Sequence, residues 1–368
     1  MKFSCERSTL HAAVSIASRA ASPRSPIPAL EGILIEASHD GVKLTGYDLK
    51  KGIYTTIDAD VAEEGKIILS ARIFSNIVNS LPEGTVTIST ENLSATIVCE
   101  NSDFRIIGSD AADYPELLEP DYQEGVSLPQ NILSKMIHQT IFAVSDNESR
   151  PIYTGELFEI GGGNLTLVAV DGYRLSLRRE AVEGVENDCS FIVPGNALSD
   201  LEKLCSDTDE KVKINLGSKH ISFTIGQTVL ISRRLEGEFL NYKKTVPSSF
   251  TIKAHADRAM LQRTVERVSL IIDDKVKNPI RCTVTDNEIR IVCATALGKA
   301  EDLCPVESEG GNVEIGFNNR YLLDAIKAAP AEEIMVCLNS GSSPCVITPV
   351  DGEENFLYMI LPVRLKAE

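Results

Sequence analysis

One pattern of apolar and polar positions occurs three times along the chain. Phe3-Ser4-Cys5-Glu6-Arg7 leads into Leu10, Ala13, Val14 and Ala17; Val126-Ser127-Leu128-Pro129 into Leu133, Met136, Ile137, Thr140 and Ile141; Phe250-Thr251-Ile252 into Leu261, Thr264, Val265 and Val268. The i, i+3, i+4, i+7 spacing predicts an amphipathic helix each time. A strand pair of alternating character follows at 32–37 and 42–46, at 155–160 and 165–170, and at 280–284 and 289–294. A third signal is a strand feeding a second helix: 67–69 before Phe74, Ile77, Val78 and Leu81; 191–193 before Leu198, Leu201 and Cys205; 313–315 before Leu322, Ala325, Ile326 and Ala329. Strand meanders at 86–107, 211–232 and 334–365 close each copy.

The repeat is in register. Gly32 precedes Gly155 by 123 positions, and Asp48 precedes Asp171 by the same 123. Copies of this size, each with two helices on a strand-rich layer, are domains rather than solenoid turns. The predicted fold is therefore α+β, with modules at 1–120, 121–245 and 246–368. Turn-rich connectors lie at 108–125 and 235–249, where Asp113-Tyr114-Pro115 matches Glu238-Phe239-Leu240.

Such modules can arc if the last strands of one continue the sheet of the next, which leaves exposed edges only at the two ends. Phe104, Ile106 and Ile107 form an apolar edge candidate at one end; Leu270, Ile271 and Ile272, at the end of a predicted helix, do so at the other. Unpaired apolar edges invite pairing. Head-to-tail association of two chains would cover both and close a six-module ring with helices lining the hole.

Composition first argues against a polyanionic ligand. The formal charge is −17, with 43 % hydrophobic and 24 % charged residues. Duplex binding rests on Lys and Arg neutralising phosphates. The six predicted helices, however, carry ten Lys and Arg against six Asp and Glu, counted with their flanking Glu6, Arg19 and Asp257. Positive charge is thus concentrated on the helices, as expected if they face DNA while the exterior is acidic.

Nine cysteines contain no C-x-x-C pair, so no zinc framework and no metal site is expected. Runs such as Ile97-Val98-Cys99 and Ile291-Val292-Cys293 suggest reduced, buried thiols. MKFSCERSTL holds no apolar signal core, and no window suits a spanning helix, so a cytoplasmic location is expected.

Local motifs run the whole length: Arg24-Ser25-Pro26-Ile27-Pro28-Ala29-Leu30, Leu44-Thr45-Gly46-Tyr47-Asp48-Leu49, Ala71-Arg72 with Leu81-Pro82-Glu83-Gly84, Ala111-Ala112-Asp113-Tyr114-Pro115, Asp171-Gly172-Tyr173-Arg174-Leu175 and the closing Tyr358-Met359-Ile360-Leu361-Pro362-Val363-Arg364-Leu365. In these the chain resembles the bacterial DNA sliding clamps, the beta subunits of DNA polymerase III. The resemblance implies a homodimeric processivity factor that encircles duplex DNA, works without cofactor, and meets a clamp loader, polymerases and repair proteins. It implies DNA contacts by Arg24 and Arg72 and by the loop from Asn147 to Ile152 with Arg150. It also implies a groove for short linear peptides, lined by Tyr153, Val170, Gly172, Tyr173, Arg174, Leu175, Leu240, Lys244, Thr245, Pro344, Val346, Met359, Ile360, Leu361, Pro362, Val363, Arg364 and Leu365. Guanidinium contacts to phosphate carry no base readout, which suits sliding.

The chain departs from the family pattern in places. Leu240 and Pro344 stand where many relatives have proline and a small polar residue, and Lys244 stands for an arginine. Gly195-Asn196 lacks a basic pair, and Lys366-Ala367-Glu368 extends the usual end. A duplicate or specialised clamp, for example a drug-tolerant one, would share every motif. An enzyme finds little support: no G-x-x-x-x-G-K, H-E-x-x-H or G-x-S-x-G occurs, and Gly161-Gly162-Gly163-Asn164 reads as a hairpin turn.

Overall fold

The computed structural model describes residues 1–117, 123–182, 188–273, 278–350 and 355–365. The first repeat runs β1 (Lys2–Glu6), α1 (Arg7–Ser18), β2 (Gly32–Ser38), β3 (Gly41–Tyr47), β4 (Lys51–Ile57), β5 (Asp60–Glu63), β6 (Gly65–Ser70), α2 (Ala71–Ser80), β7 (Thr85–Glu91), β8 (Ser94–Cys99) and β9 (Ser102–Ile107). The second runs β10 (Gln123–Pro129), α3 (Gln130–Thr140), β11 (Gly155–Gly161), β12 (Asn164–Val170), β13 (Arg174–Ala181), β14 (Cys189–Pro194), α4 (Gly195–Leu204), β15 (Lys211–Leu216), β16 (His220–Ile225) and β17 (Thr228–Arg233). The third runs β18 (Ile252–Asp257), α5 (Arg258–Ser269), β19 (Ile280–Val284), β20 (Glu288–Thr295), β21 (Gly298–Pro305), β22 (Glu307–Glu309), β23 (Val313–Phe317), α6 (Asn319–Ala328), β24 (Glu333–Leu338), β25 (Cys345–Pro349) and β26 (Phe356–Ile360).

Sheets do not stop where repeats stop. The chain divides into two compact units, Met1–Leu133 with Asp200–Arg234 and Ser134–Ser199 with Leu235–Glu368, and the division cuts through the middle repeat. In the first unit an eight-stranded antiparallel sheet has the order β10-β15-β16-β17-β4-β3-β2-β6, beside a five-stranded sheet β5-β1-β7-β8-β9. In the second, a nine-stranded sheet runs β14-β11-β12-β13-β26-β25-β24-β18-β22, beside a four-stranded sheet β21-β20-β19-β23. Two strand pairs therefore join successive repeats: β17 with β4, where Leu230 faces Ile53, and β13 with β26, where Leu175 faces Met359.

The apolar faces predicted from spacing are the ones buried. Leu10, Ala13, Val14 and Ala17 of α1 pack with Phe74, Ile77 and Val78 of α2 in one core. Leu261, Val265 and Val268 of α5 pack with Leu322, Ala325 and Ile326 of α6 in another. A second cluster in the same unit, Leu157, Val168, Val170, Leu175, Leu177, Ile192, Tyr242, Cys337, Val346 and Met359, includes Leu175, Val346 and Met359 from three adjacent strands of the nine-stranded sheet.

Two expectations need correction. The strand pair after each first helix is a meander of three, and its third strand, β4, β13 or β21, is the one that joins repeats or lies free at an edge. The apolar content of β21 is low: it reads GKAEDLCP. The first helix of the third repeat also ends earlier than expected. α5 stops at Ser269, Leu270 is its exposed C-cap, and Ile271 and Ile272 pack onto the core beneath. An edge of the four-stranded sheet is β21, with Leu303 exposed on it and Leu297 exposed in the turn before it; Leu270 is 83 % exposed. At the other end β9 is an edge strand as expected; Phe104 and Ile106 pack inward while Ile107 is 85 % exposed. Lys366-Ala367-Glu368 and part of the first connector lie outside the described residues.

Candidate functional site

Alternation along β13, β26 and β25 sends one row of side chains toward the helices and the next away from them. Arg174 points to α6, where its Nη1 donates to Asp324 at 2.5 Å and its guanidinium lies 4.5 Å from the centroid of the Tyr321 ring. Leu175, Met359 and Val346, cross-strand neighbours on the opposite face, are buried in the second cluster. At the strand ends Tyr173 and Leu361 are joined by Leu361 N donating to Tyr173 O at 2.8 Å, with Pro344 at the adjoining strand end and the Tyr173 ring stacked on Tyr321 of α6 at 6.1 Å. Tyr173 is 62 % exposed and Leu361 36 %. A buried apolar floor thus rises to an exposed apolar rim, an arrangement that receives one or two hydrophobic anchors of a peptide.

The turn before this row is set by Asp171. Its Oδ1 accepts from Tyr173 N (2.8 Å) and Arg174 N (3.0 Å), and its Oδ2 accepts from Arg174 Nε (2.9 Å). Gly172 between them has φ +95°, the left-handed region where a side chain is strained. After β26 the chain is pinned again by Val363 N donating to Gly316 O at 2.8 Å. Only glycine fits there, since a Cβ on Gly316 would stand 2.5 Å from Val363 O. Val363 is 38 % exposed, Arg364 is exposed, and Pro362 and Leu365 are half-buried. Ile360 turns to the helix side and joins that core.

The flank is formed by the loop around 240–245. Tyr153 packs edge-on against Phe239 at 5.7 Å, and Ile152, Tyr153 and Leu240 border the buried cluster. Tyr242 OH donates to Glu159 at 2.6 Å, and Lys243 Nζ to the same carboxylate at 2.9 Å. Burial pushes the Glu159 carboxyl up, but those two hydrogen bonds and the Lys243 charge outweigh it and leave it below the usual range. Lys244 and Thr245 face solvent. The residues expected to line the groove therefore all belong to one unit, and Tyr153, Val170, Leu175, Leu240, Val346 and Met359 meet in one cluster. Sequence reasoning missed Asp324, Tyr321, Tyr242, Glu159 and Gly316. One signal was available: Asp200 and Asp324 lie 124 positions apart, as do the starts of their helices.

The expected DNA contacts occupy exposed loops and a helix start. Arg24 lies in the exposed loop after α1, and Arg72 is the second residue of α2 and exposed. Asn147 caps its own turn, Oδ1 accepting from Ser149 N at 3.0 Å, and Arg150 is exposed beside it. Ile152 instead turns inward, against Gly237 and the buried cluster. Within their observed bounds the six helices of the described residues carry nine Lys and Arg against four Asp and Glu.

Seven of the nine cysteines are buried and the other two half-buried, all as free thiols. Burial pushes the thiol of Cys282 up to about 12 and that of Cys5, helped by Glu6, up to about 11. They are neutral apolar filling. No helix among the described residues is long and apolar enough to cross a membrane.

Three sequence families match in order along the chain: the N-terminal domain of the DNA polymerase III beta subunit over residues 1–118, its central domain over 127–241 and its C-terminal domain over 243–364. The beta sliding clamp of Staphylococcus epidermidis is 32 % identical over 376 residues, covering 99 % of both chains, and that of Staphylococcus aureus 31 % over 375 residues with the same coverage. Among solved structures, the DNA polymerase sliding clamp of Bacillus subtilis superposes with a TM-score of 0.95 at 30 % identity, covering 100 % of both chains. The DNA polymerase III beta subunit of Thermotoga maritima gives a TM-score of 0.93 at 26 % identity, covering 99 % of this chain and 100 % of its own. Three α+β repeats joined through shared sheets, matched from end to end by these proteins, make the chain a member of the DNA polymerase III beta subunit family, the bacterial sliding clamps.

Proposed function

We propose that two copies of this chain close head to tail around duplex DNA and act as a processivity factor in the cytoplasm, catalysing nothing themselves. The modules of this reading are 1–120, 121–245 and 246–368. Arg24, Arg72, Asn147 and Arg150 touch the phosphate backbone, and the face built on Leu175, Met359 and Val346 holds peptides of polymerases, the clamp loader and repair proteins. The observation that carries the reading is sheet continuity: β17 with β4 and β13 with β26 use the same antiparallel join, and β9 and β21 are left as unpaired edges. Topological linkage then replaces tight binding, so phosphate contacts stay weak enough for sliding.

The test is retention. Loaded onto a nicked circle by a clamp loader, the protein is expected to stay bound through gel filtration and to run off once the circle is linearised. Equal retention on both forms would refute the ring.

A further inference from the structure

The two joins between repeats are built alike. Asp48 N donates to Lys51 O at 3.1 Å as Asp171 N does to Arg174 O at 3.3 Å. Asp48 Oδ1 accepts from Lys50 N (2.9 Å) and Lys51 N (2.7 Å), as Asp171 Oδ1 accepts from Tyr173 N and Arg174 N. Arg233 N donates to Lys50 O at 2.8 Å, as Leu361 N does to Tyr173 O. Lys51 reaches Asp200 on α4 as Arg174 reaches Asp324 on α6. Lys50, Arg233 and His220 therefore hold, at the first join, the row that Tyr173, Leu361 and Pro344 hold at the second.

The shared backbone carries opposite chemistry. His220 and Arg233 face each other across β16 and β17, Lys50 follows on the neighbouring strand, and Arg234 N donates to Lys219 O at 2.9 Å one row along. Lys50, Lys219 and Arg233 are exposed and make no ion pair among the described residues. Arg234 donates to Gly217 O at 2.9 Å. Asp48, two residues before Lys50, is engaged by two backbone amides. His220 titrates below its ordinary range, first through burial and then through the Arg233 and Lys219 charges, as crowding of cations requires. Lys50 and Arg233 are thus adjacent exposed cations at the strand ends, in the positions that Tyr173 and Leu361 hold beside the groove at the second join.

We propose that this face binds the phosphate backbone of DNA, as a site separate from Arg24, Arg72 and the 147–150 loop. Strand ends lie about 4.8 Å apart, so the cations form a short ladder able to follow successive phosphates. The row offers no apolar anchor for a peptide, and its positive charge is concentrated on a chain of net −17. The inference rests on the proposed clamp function and deepens it.

The experiment compares the full-length protein with Lys50→Glu/Arg233→Glu, and with Lys219→Glu as a second exposed variant. Circular dichroism and oligomeric state verify folding. Fluorescence anisotropy with a labelled duplex at several salt concentrations is expected to show several-fold weaker binding by the double variant. Its log K against log salt slope should be shallower by about 2, one phosphate contact per removed cation. Unchanged affinity and slope in both variants would overturn the site. So would a labelled polyglutamate peptide that binds the wild type and not the variants while duplex binding stays the same, which would make the ligand an acidic polypeptide. Retention on nicked circles, measured in parallel, judges the clamp reading separately: its failure in the wild type counts against the ring, whatever the anisotropy shows.

Discussion

Arg174 does two things at once. Its backbone fixes the turn that presents Tyr173, and its side chain, held by Asp171 and Asp324 and lying over Tyr321, ties β13 to α6. Removing Asp324 leaves a half-buried guanidinium with one carboxylate in place of two. Asp324→Ala is expected to cost about 1–2 kcal/mol, the upper value for a charged hydrogen bond discounted for partial exposure, and to weaken peptide binding because Tyr173 loses its fixed base. Urea unfolding and peptide titration read the two effects. A variant with wild-type stability and affinity would show that Asp324 has no positioning role. Arg174 was legible in the sequence through its motif, whereas Asp324 was not, because a lone acid on a helix reads as a solvated residue until the sheet brings Arg174 beneath it.

At the scale of elements, amphipathic helices were read directly from spacing, since one buried stripe leaves a clear period. The strands that join repeats were harder to see. β4 and β13 are mixed in character because cross-strand partners, rather than a continuous apolar run, hold them in place. The flank at 240–245 was legible only through the family resemblance, not from the pattern, because its position depends on Tyr242 and Lys243 meeting Glu159, 83 and 84 residues away. That contact carries a pH dependence. The carboxyl is depressed in the folded protein, so its contribution is present above the unfolded carboxylate range and is lost as pH falls through the lower folded value. Glu159→Gln is expected to flatten the acid limb of stability around this loop, followed by proteolysis at 240–245 between neutral pH and pH 3; an unaltered acid limb would assign the dependence to other groups.

For the whole molecule, the joins inside the chain predict the one between chains. The third hairpin has the same design, with Thr295 Oγ1 accepting from Leu297 N at 3.1 Å where Asp48 and Asp171 accept from Lys50 and Tyr173. Carrying the register of β17 on β4 over to β9 on a second copy's β21 places Phe104 opposite Ala300 and Ile107 opposite Leu297. These last two are 85 % and 80 % exposed, the largest exposures among the apolar residues of the two edge segments. Arg105 then faces Lys299, with Glu301 on the diagonal for the former and Asp103 for the latter. The ion pair of the internal joins is absent at this one, because Gly298 stands at the position of Lys51 and Arg174, and Asn76 at that of Asp200 and Asp324. In this register closure would rest on strand pairing and apolar contact, without the covalent tether that raises effective concentration inside the chain. Ile107→Asp is therefore expected to give folded monomers. Losing one buried side chain at each of two equivalent joins, about 2 kcal/mol apiece, weakens the dimer roughly a thousandfold. Light scattering should report the monomer mass while circular dichroism stays that of the wild type, and Leu297→Asp should behave alike. A dimer that survives both substitutions would mean that β9 and β21 do not meet in this register.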